Sequence, residues 1–122
     1  MATRVASFRH AGRGIFFLFF RETHGKIHGV ATLIAIATGL WLDLSLLEWA
    51  LVSLAIGLVV ASEAINTAIE SLADAVHPDQ HPLVGRAKDL SAGGVLLASI
   101  TALAVGLCVF GPYFWSLIQA SP

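Results

Sequence analysis

Apolar residues run together along this chain in three long blocks, roughly residues 27–42, 49–76 and 90–115. Short polar segments at residues 43–48 and 77–89 separate them. A helix crossing a hydrocarbon core of about 30 Å needs about 20 mainly apolar residues, so each block predicts a membrane-spanning helix. The first is short and must borrow flanking residues or thin the bilayer. The segment before it is different. Arg4, Arg9, Arg13, Arg21 and Lys26 interrupt it, and its apolar content is concentrated in the six residues 15–20, fewer than a signal-peptide core requires. Basic residues mixed with Phe8, Phe16, Phe17 and Phe20 predict a helix over about residues 1–26 lying in the headgroup layer, apolar side down and arginines toward anionic lipid. A soluble helix packed on other protein is the rival reading, for which so small a chain offers little surface. The expected fold class is therefore all-α: an N-terminal amphipathic surface helix plus three transmembrane helices, forming one membrane domain over residues 1–122.

Composition agrees with this pattern. Of 122 residues, 57% are hydrophobic and 12% charged, where a soluble domain has about 25% charged residues. A mean hydropathy of +0.80 excludes a disordered tail, a coiled coil or a basic nucleic-acid module, all of which need abundant charge. The net charge of −1 identifies no partner, but the positions of the charges are informative. All seven Lys and Arg residues lie in the N-terminal segment or at Arg86 and Lys88, and the polar segment holding Asp43 and Glu48 has none. The positive-inside rule then predicts a cytoplasmic N-terminus and second loop, with the C-terminus outside. Trp41, Trp49 and Trp115 fall near the outer interface, where indole rings concentrate. Cys108, the single cysteine, reads as a small hydrophobe.

Ser53, Gly57, Ala61, Ala64 and Ala68 follow one another at helical spacing in the second block, and residues 91–94 open the third with small side chains. Such stripes let helix backbones approach closely. They predict a homo-oligomer, with contacts inside one subunit as the simpler alternative.

Ionisable groups inside membrane spans cost about 2.5 to 3.5 kcal/mol each on insertion scales and are functional candidates by default. Glu63, Asn66, Glu70 and Asp74 are spaced 3, 4 and 4 apart, which places them on one helix face. If the helix starts near Glu48, a 30 Å core ends near residue 68 at about 1.5 Å rise per residue. Glu63 then lies about 7 Å inside the cytoplasmic boundary, with Glu70 and Asp74 just beyond it. Carboxylates at that depth suit a hard divalent cation, since Mg²⁺ commonly uses one or two of them plus nucleotide phosphates. A deeper carboxylate suits proton abstraction from a lipid hydroxyl. Glu22, at the end of the surface helix, lies at the same depth and could supply a second metal ligand. Interhelical hydrogen bonding is the bland reading, and it accounts for Asn66 better than for two stacked glutamates.

The run Glu63-Ala-Ile-Asn-Thr-Ala-Ile-Glu70, then Asp74, His81-Pro82 and Gly85-Arg-Ala-Lys-Asp89, resembles the signature of the small prokaryotic integral-membrane diacylglycerol kinase family. Ser7-Phe8-Arg9-His10-Ala11, Gly14-Ile15, Arg21-Glu22 and Lys26-Ile27-His28 resemble the same family, especially its undecaprenol kinase branch. The resemblance runs from about residue 7 to residue 109. It implies homotrimers of three-span subunits, with active sites between subunits where ATP and Mg²⁺ phosphorylate a lipid alcohol. It also implies residue roles. Glu63 would be the general base, with Asn66 and Asp74 orienting the cluster. Glu22 and Glu70 would bind metal ions bridging the ATP phosphates. Lys88 and Asp89 would contact the nucleotide, as would Asp79, Gln80 and His81, and His10 where relatives often have Tyr. His24, His28 and Ala92 would meet the lipid substrate together with Glu63. The segment 23–28 lacks the second acidic residue of diacylglycerol-specific members, which points toward the undecaprenol branch.

His24 and His28 could share a metal by spacing, but neither a cysteine nor a third histidine is near in sequence. Gly25 and Gly29 form a GxxxG that can equally mark the bend from surface helix to first span. His77-Pro78 and His81-Pro82 end the second block's helix. No Walker motif or protein-kinase signature is present, so kinase chemistry here is independent of those folds. A competing function is a small oligomeric protein conducting protons or cations along Glu63, Glu70 and Asp74. Conduction expects charge throughout the span, whereas residues 51–61 carry none. A non-catalytic adaptor would have no use for the whole metal and phosphate set.

Overall fold

The computed structural model describes residues 2–120, so an expected helix start at residue 1 and the last two residues lie outside the described range. Four helices follow in order: α1 (Ala2–Arg21), α2 (Thr23–Leu42), α3 (Leu46–Val76) and α4 (Pro82–Ala120). No strand occurs among the described residues. Three helices, α2 to α4, are long and apolar enough to cross a membrane, and the all-helical class read from the sequence is the one observed.

Element boundaries differ from the hydropathy blocks in a consistent direction. The surface helix stops at Arg21 rather than near residue 26, and α2 begins at Thr23. Glu22 between them is extended, with φ −83° and ψ 133°. Its N–H donates to the Phe17 carbonyl at 3.3 Å and its carbonyl accepts from Lys26 N–H at 3.0 Å. The elbow is tight because Gly25 is buried against the backbone of Leu18, where a Cβ on Gly25 would overlap the Leu18 carbonyl. Gly25 and Gly29 thus mark the bend, Gly29 resting on the Phe19 ring. Twenty residues give α2 about 30 Å of length, so the first span is of full length. Its first turn holds the polar Thr23, His24 and Lys26, which hydropathy blocks leave out but a helix at headgroup depth tolerates because long side chains reach back to water.

Asp43 ends α2 in the left-handed region, at φ 55°, with its N–H on the Gly39 carbonyl. That conformation is available at low cost to Gly, Asn and Asp. Ser45 then starts α3 with a capping box: its Oγ accepts from Glu48 N–H at 3.3 Å, while Glu48 Oε2 accepts from Ser45 N–H at 2.8 Å. This cap moves the start of α3 to Leu46, three residues before the apolar block. Tyr113 of α4 donates its hydroxyl to the same Glu48 oxygen at 2.8 Å. Glu48 precedes the spanning block, and its pKa is lowered first by the Ser45 N–H, then by Tyr113.

The 31 residues of α3 and 39 of α4 span about 46 Å and 58 Å, more than the hydrocarbon core. Pro82 occupies the first position of α4, where its missing N–H costs nothing. Arg86, Lys88 and Asp89, expected in a loop, are therefore held on a helix. Pro112 sits inside α4, which continues to Ala120. The core is thin: Leu44, Val52 and Val109 are buried, with Trp49, Ile56, Val105, Phe110 and Tyr113 against them. Large apolar side chains such as Leu54 and Leu97 are exposed, as expected for helices whose solvent is lipid. Ser53, Gly57, Ala61, Ala64 and Ala68 are all exposed, and the last two border a hollow with Gly14, Phe17 and Leu18 of α1.

Candidate active site

The stripe on α3 divides by depth. Glu63 and Asn66 are buried, at 4% and 8% exposure, whereas Glu70 and Asp74 are exposed. Helical rise puts Glu70 about 10 Å and Asp74 about 16 Å along the axis from Glu63. Each member has a partner on the same or a neighbouring helix. Glu63 Oε2 lies 3.9 Å from His28 Nε2 on α2. Asn66 Nδ2 donates to Glu70 Oε1 at 3.4 Å, and Asn66 Oδ1 accepts from Ser91 Oγ of α4 at 2.7 Å. Lys88 Nζ donates to Asp74 Oδ1 at 2.8 Å.

Ser91 fixes which way the Asn66 amide points. A hydroxyl donor on one side and a carboxylate acceptor on the other leave a single assignment of oxygen and nitrogen. Ser91 Oγ is also 2.9 Å from the Lys88 carbonyl, so its one proton is shared between two acceptors. Sequence reading took Ser91 only as a small packing residue. Its position three residues after Lys88, one helical turn on the same face, is the signal that could have found it.

Lys88 lies before the spanning block of α4. Its pKa is raised chiefly by the hydrogen bond it donates to Asp74, against an opposing effect of burial. An ammonium held there is a fixed positive charge above the buried carboxylate, of the kind that stabilises transferring phosphate. Beside it, Asp74, His77, Asp79, Gln80, His81 and Lys88 border an open hollow of about 550 Å³. Within the connection, the His77 and His81 rings meet edge to face at 5.1 Å. His81 Nδ1 accepts from Leu83 N–H at 3.2 Å, so its Nε2 carries the proton in the neutral ring and is a donor.

The remaining expected site residues make no side-chain hydrogen bond or ion pair with this group among the described residues. His10 is exposed on α1, Glu22 is half-buried at the elbow, and His24, Asp89 and Ala92 are exposed on α2 and α4. Among the described residues no three His, Cys, Asp or Glu side chains come close enough to hold a metal ion. No such cluster therefore joins Glu22 and Glu70 to a third ligand of those types. The donor chemistry still fits Mg²⁺: Glu70 commits one oxygen to Asn66, and a hard cation needs only one or two carboxylates when phosphates supply the rest.

A second cavity, of about 270 Å³, lies between α2, α3 and α4, and His28, Ala35, Val52, Val59, Val105 and Phe110 are among its lining. Apart from His28, Thr32 and Ser99 its lining is apolar. Three helices of membrane-spanning length and a ladder of carboxylate, amide and lysine along α3 fit a small membrane-embedded enzyme.

Comparison with known proteins makes that class specific. Residues 9–110 match the model of the prokaryotic diacylglycerol kinase family. The chain is 37% identical over 106 residues to the undecaprenol kinase of Bacillus subtilis strain 168, covering 87% of this chain and 86% of that protein. It is 36% identical over 115 residues to a diacylglycerol kinase of Synechocystis, covering 93% and 66% respectively. With the diacylglycerol kinase of Escherichia coli K12 it shares 33% identity over 94 residues, 77% of each chain. The chain belongs to the prokaryotic diacylglycerol kinase family, and it is a lipid kinase.

Proposed function

We propose that this protein transfers the γ-phosphate of ATP, with Mg²⁺, to the hydroxyl of a membrane lipid alcohol at the cytoplasmic leaflet, and that the alcohol is undecaprenol, with diacylglycerol as the other candidate. The observation that carries this reading is the buried Glu63 beneath the Asn66–Glu70 and Asp74–Lys88 pairs, a proton acceptor at lipid depth under groups suited to phosphate and metal. Glu63 takes the acceptor hydroxyl proton as that oxygen forms its bond to phosphorus and the bond from phosphorus to the ADP oxygen breaks. Glu70 and Glu22 hold the metal, which when bound neutralises phosphate charge. Asn66 and Asp74 orient Glu70 and Lys88. Lys88 and Asp89, with His10, Asp79, Gln80 and His81, receive the nucleotide over the hollow between α3 and α4.

His24, His28 and Ala92 meet the lipid, and the apolar cavity ending at His28 suits its hydrocarbon chain. The lack of a second acid after Glu22 in residues 23–28 favours undecaprenol. Placing both basic regions on the cytoplasmic side agrees with the positive-inside rule. The family resemblance implies a homotrimer with active sites shared between subunits, and the exposed small residues Ser53, Gly57 and Ala61 of α3 support close contact between copies. The alternative of a conducting oligomer has less support, because α3 carries no charge over residues 51–61.

The test is label transfer in mixed micelles, with purified protein, labelled ATP, Mg²⁺ and either undecaprenol or diacylglycerol. Label is expected in undecaprenol at higher kcat/KM. Faster labelling of diacylglycerol would reverse the acceptor assignment, and labelling of neither would overturn the reading.

A further inference from the structure

We propose that His28 is a positioning residue for the base: its ring N–H holds one oxygen of the Glu63 carboxylate and leaves the other directed at the acceptor hydroxyl. This rests on the reading of Glu63 as the base and adds a role beyond lipid contact. His28 Nε2 is 3.9 Å from Glu63 Oε2, with side-chain exposures of 22% and 5%. Among the described residues, His28 is the one cationic side chain within ion-pair reach of that carboxylate.

The cavity beside His28 holds no other ionisable side chain, and the Thr32 hydroxyl donates to the His28 carbonyl at 2.8 Å. Across the cavity α4 presents Ser99, Ala102 and Val105, and α3 presents Val59 and Val60, none of them ionisable. Near the start of α2, α1 contributes Leu18 and Phe19. A carboxylate in such surroundings is costly without a donor, and it is free to rotate about its terminal torsion. At 3.9 Å the pair is beyond hydrogen-bond length, but a side-chain rotation of about 1 Å closes it, and catalytic contacts commonly tighten only when substrate is bound. An Nε2–H is a donor in the neutral tautomer and in the imidazolium alike, so holding the carboxylate needs no change of charge on His28.

The two roles for His28 separate in kinetics. A residue that only touches lipid changes the lipid KM, whereas one that orients the base changes kcat at saturating lipid. Met and Gln have similar shapes and differ in the N–H. With the full-length protein in mixed micelles, His28→Met is expected to lower kcat about tenfold or more, a fraction of the 10²- to 10⁴-fold a positioned base supplies. The KM for Mg-ATP should stay within about twofold. His28→Gln, which keeps a donor, is expected to retain kcat within about threefold of wild type. A rise in lipid KM with unchanged kcat in His28→Met overturns the proposal while leaving the kinase reading intact. So does an equal loss of kcat in both variants. If the methionine variant does not assemble, folded His28→Gln still decides, since a tenfold loss of its kcat contradicts the donor role. An inactive wild type would overturn the kinase reading and this proposal with it.

Discussion

Replacing Ser91 by Ala removes one hydroxyl from the interface of α3 and α4, and the consequences can be followed atom by atom. Asn66 Oδ1 loses its 2.7 Å donor and becomes an acceptor without a protein partner in a residue only 8% exposed. Leaving a buried polar group unpaired costs about 1 to 3 kcal/mol. The Lys88 carbonyl is a helix acceptor and loses only a shared contact. The amide can recover part of the cost by rotating, and rotation withdraws Nδ2 from Glu70 Oε1, already at a long 3.4 Å. A weak bond to a charged acceptor is worth about 1 to 1.5 kcal/mol, which corresponds to roughly a tenfold change in an equilibrium constant. If Glu70 holds the metal that accompanies ATP, Ser91→Ala should raise the KM for Mg-ATP about tenfold in the mixed-micelle assay, with a smaller change in lipid KM. A cycle with Asn66→Ala and the double variant should show coupling of about 1 kcal/mol, because both changes disturb one hydrogen-bonded unit. Additive effects, or a Ser91→Ala enzyme with Mg-ATP kinetics within twofold of wild type, would refute the chain from Ser91 through Asn66 to Glu70.

Three further outcomes are expected. Glu70→Gln keeps an acceptor for Asn66 but removes the charge, so Mg-ATP affinity measured by titration should fall by at least about tenfold, whereas unchanged affinity would remove Glu70 from the metal site. Gly25→Ala should destabilise by about 1 to 3 kcal/mol through overlap with the Leu18 backbone. Gly12→Ala, in open space on α1, should be neutral or stabilising in the same thermal melts. The Glu48 pKa is lowered in the fold, so its stabilising effect is complete above the unfolded value of 4.5 and is lost as pH falls through the lower folded value. Glu48→Gln preserves the capping box without titrating, and its melting temperature should fall less than that of wild type between pH 6 and pH 3, the difference being the quantity to measure.

Much of this architecture was legible because hydrophobic blocks of membrane length leave few alternatives. The ends of helices were not. The cap at Ser45 and Glu48 carries the S-x-x-E signature yet lies outside the apolar block, so counting apolar residues starts α3 too late. Thr23 to Lys26 and Pro82 to Asp89 are helical although polar, since helices that leave the hydrocarbon core continue into headgroups and water. The buried pair Glu63 and Asn66 was readable from spacing alone, because charge inside a span is rare. Pairings across helices were not readable: Ser91 with Asn66, His28 with Glu63 and Tyr113 with Glu48 depend on how α2, α3 and α4 turn toward each other. Glu22 and Glu70 were placed together only by resemblance, since they lie on different elements far apart in sequence.

The division of labour along α3, with proton transfer at Glu63 and nucleotide binding above it, is tested most directly by Glu63→Gln. Phosphate transfer to lipid and binding of Mg-ATP would be measured on the same micellar preparation, beside wild type. The expected result is transfer reduced by at least about 10²-fold, in the range a general base contributes, with Mg-ATP affinity within about twofold of wild type. Transfer that survives the substitution, or a loss of nucleotide affinity as large as the loss of transfer, would contradict the assignment of Glu63 as the base.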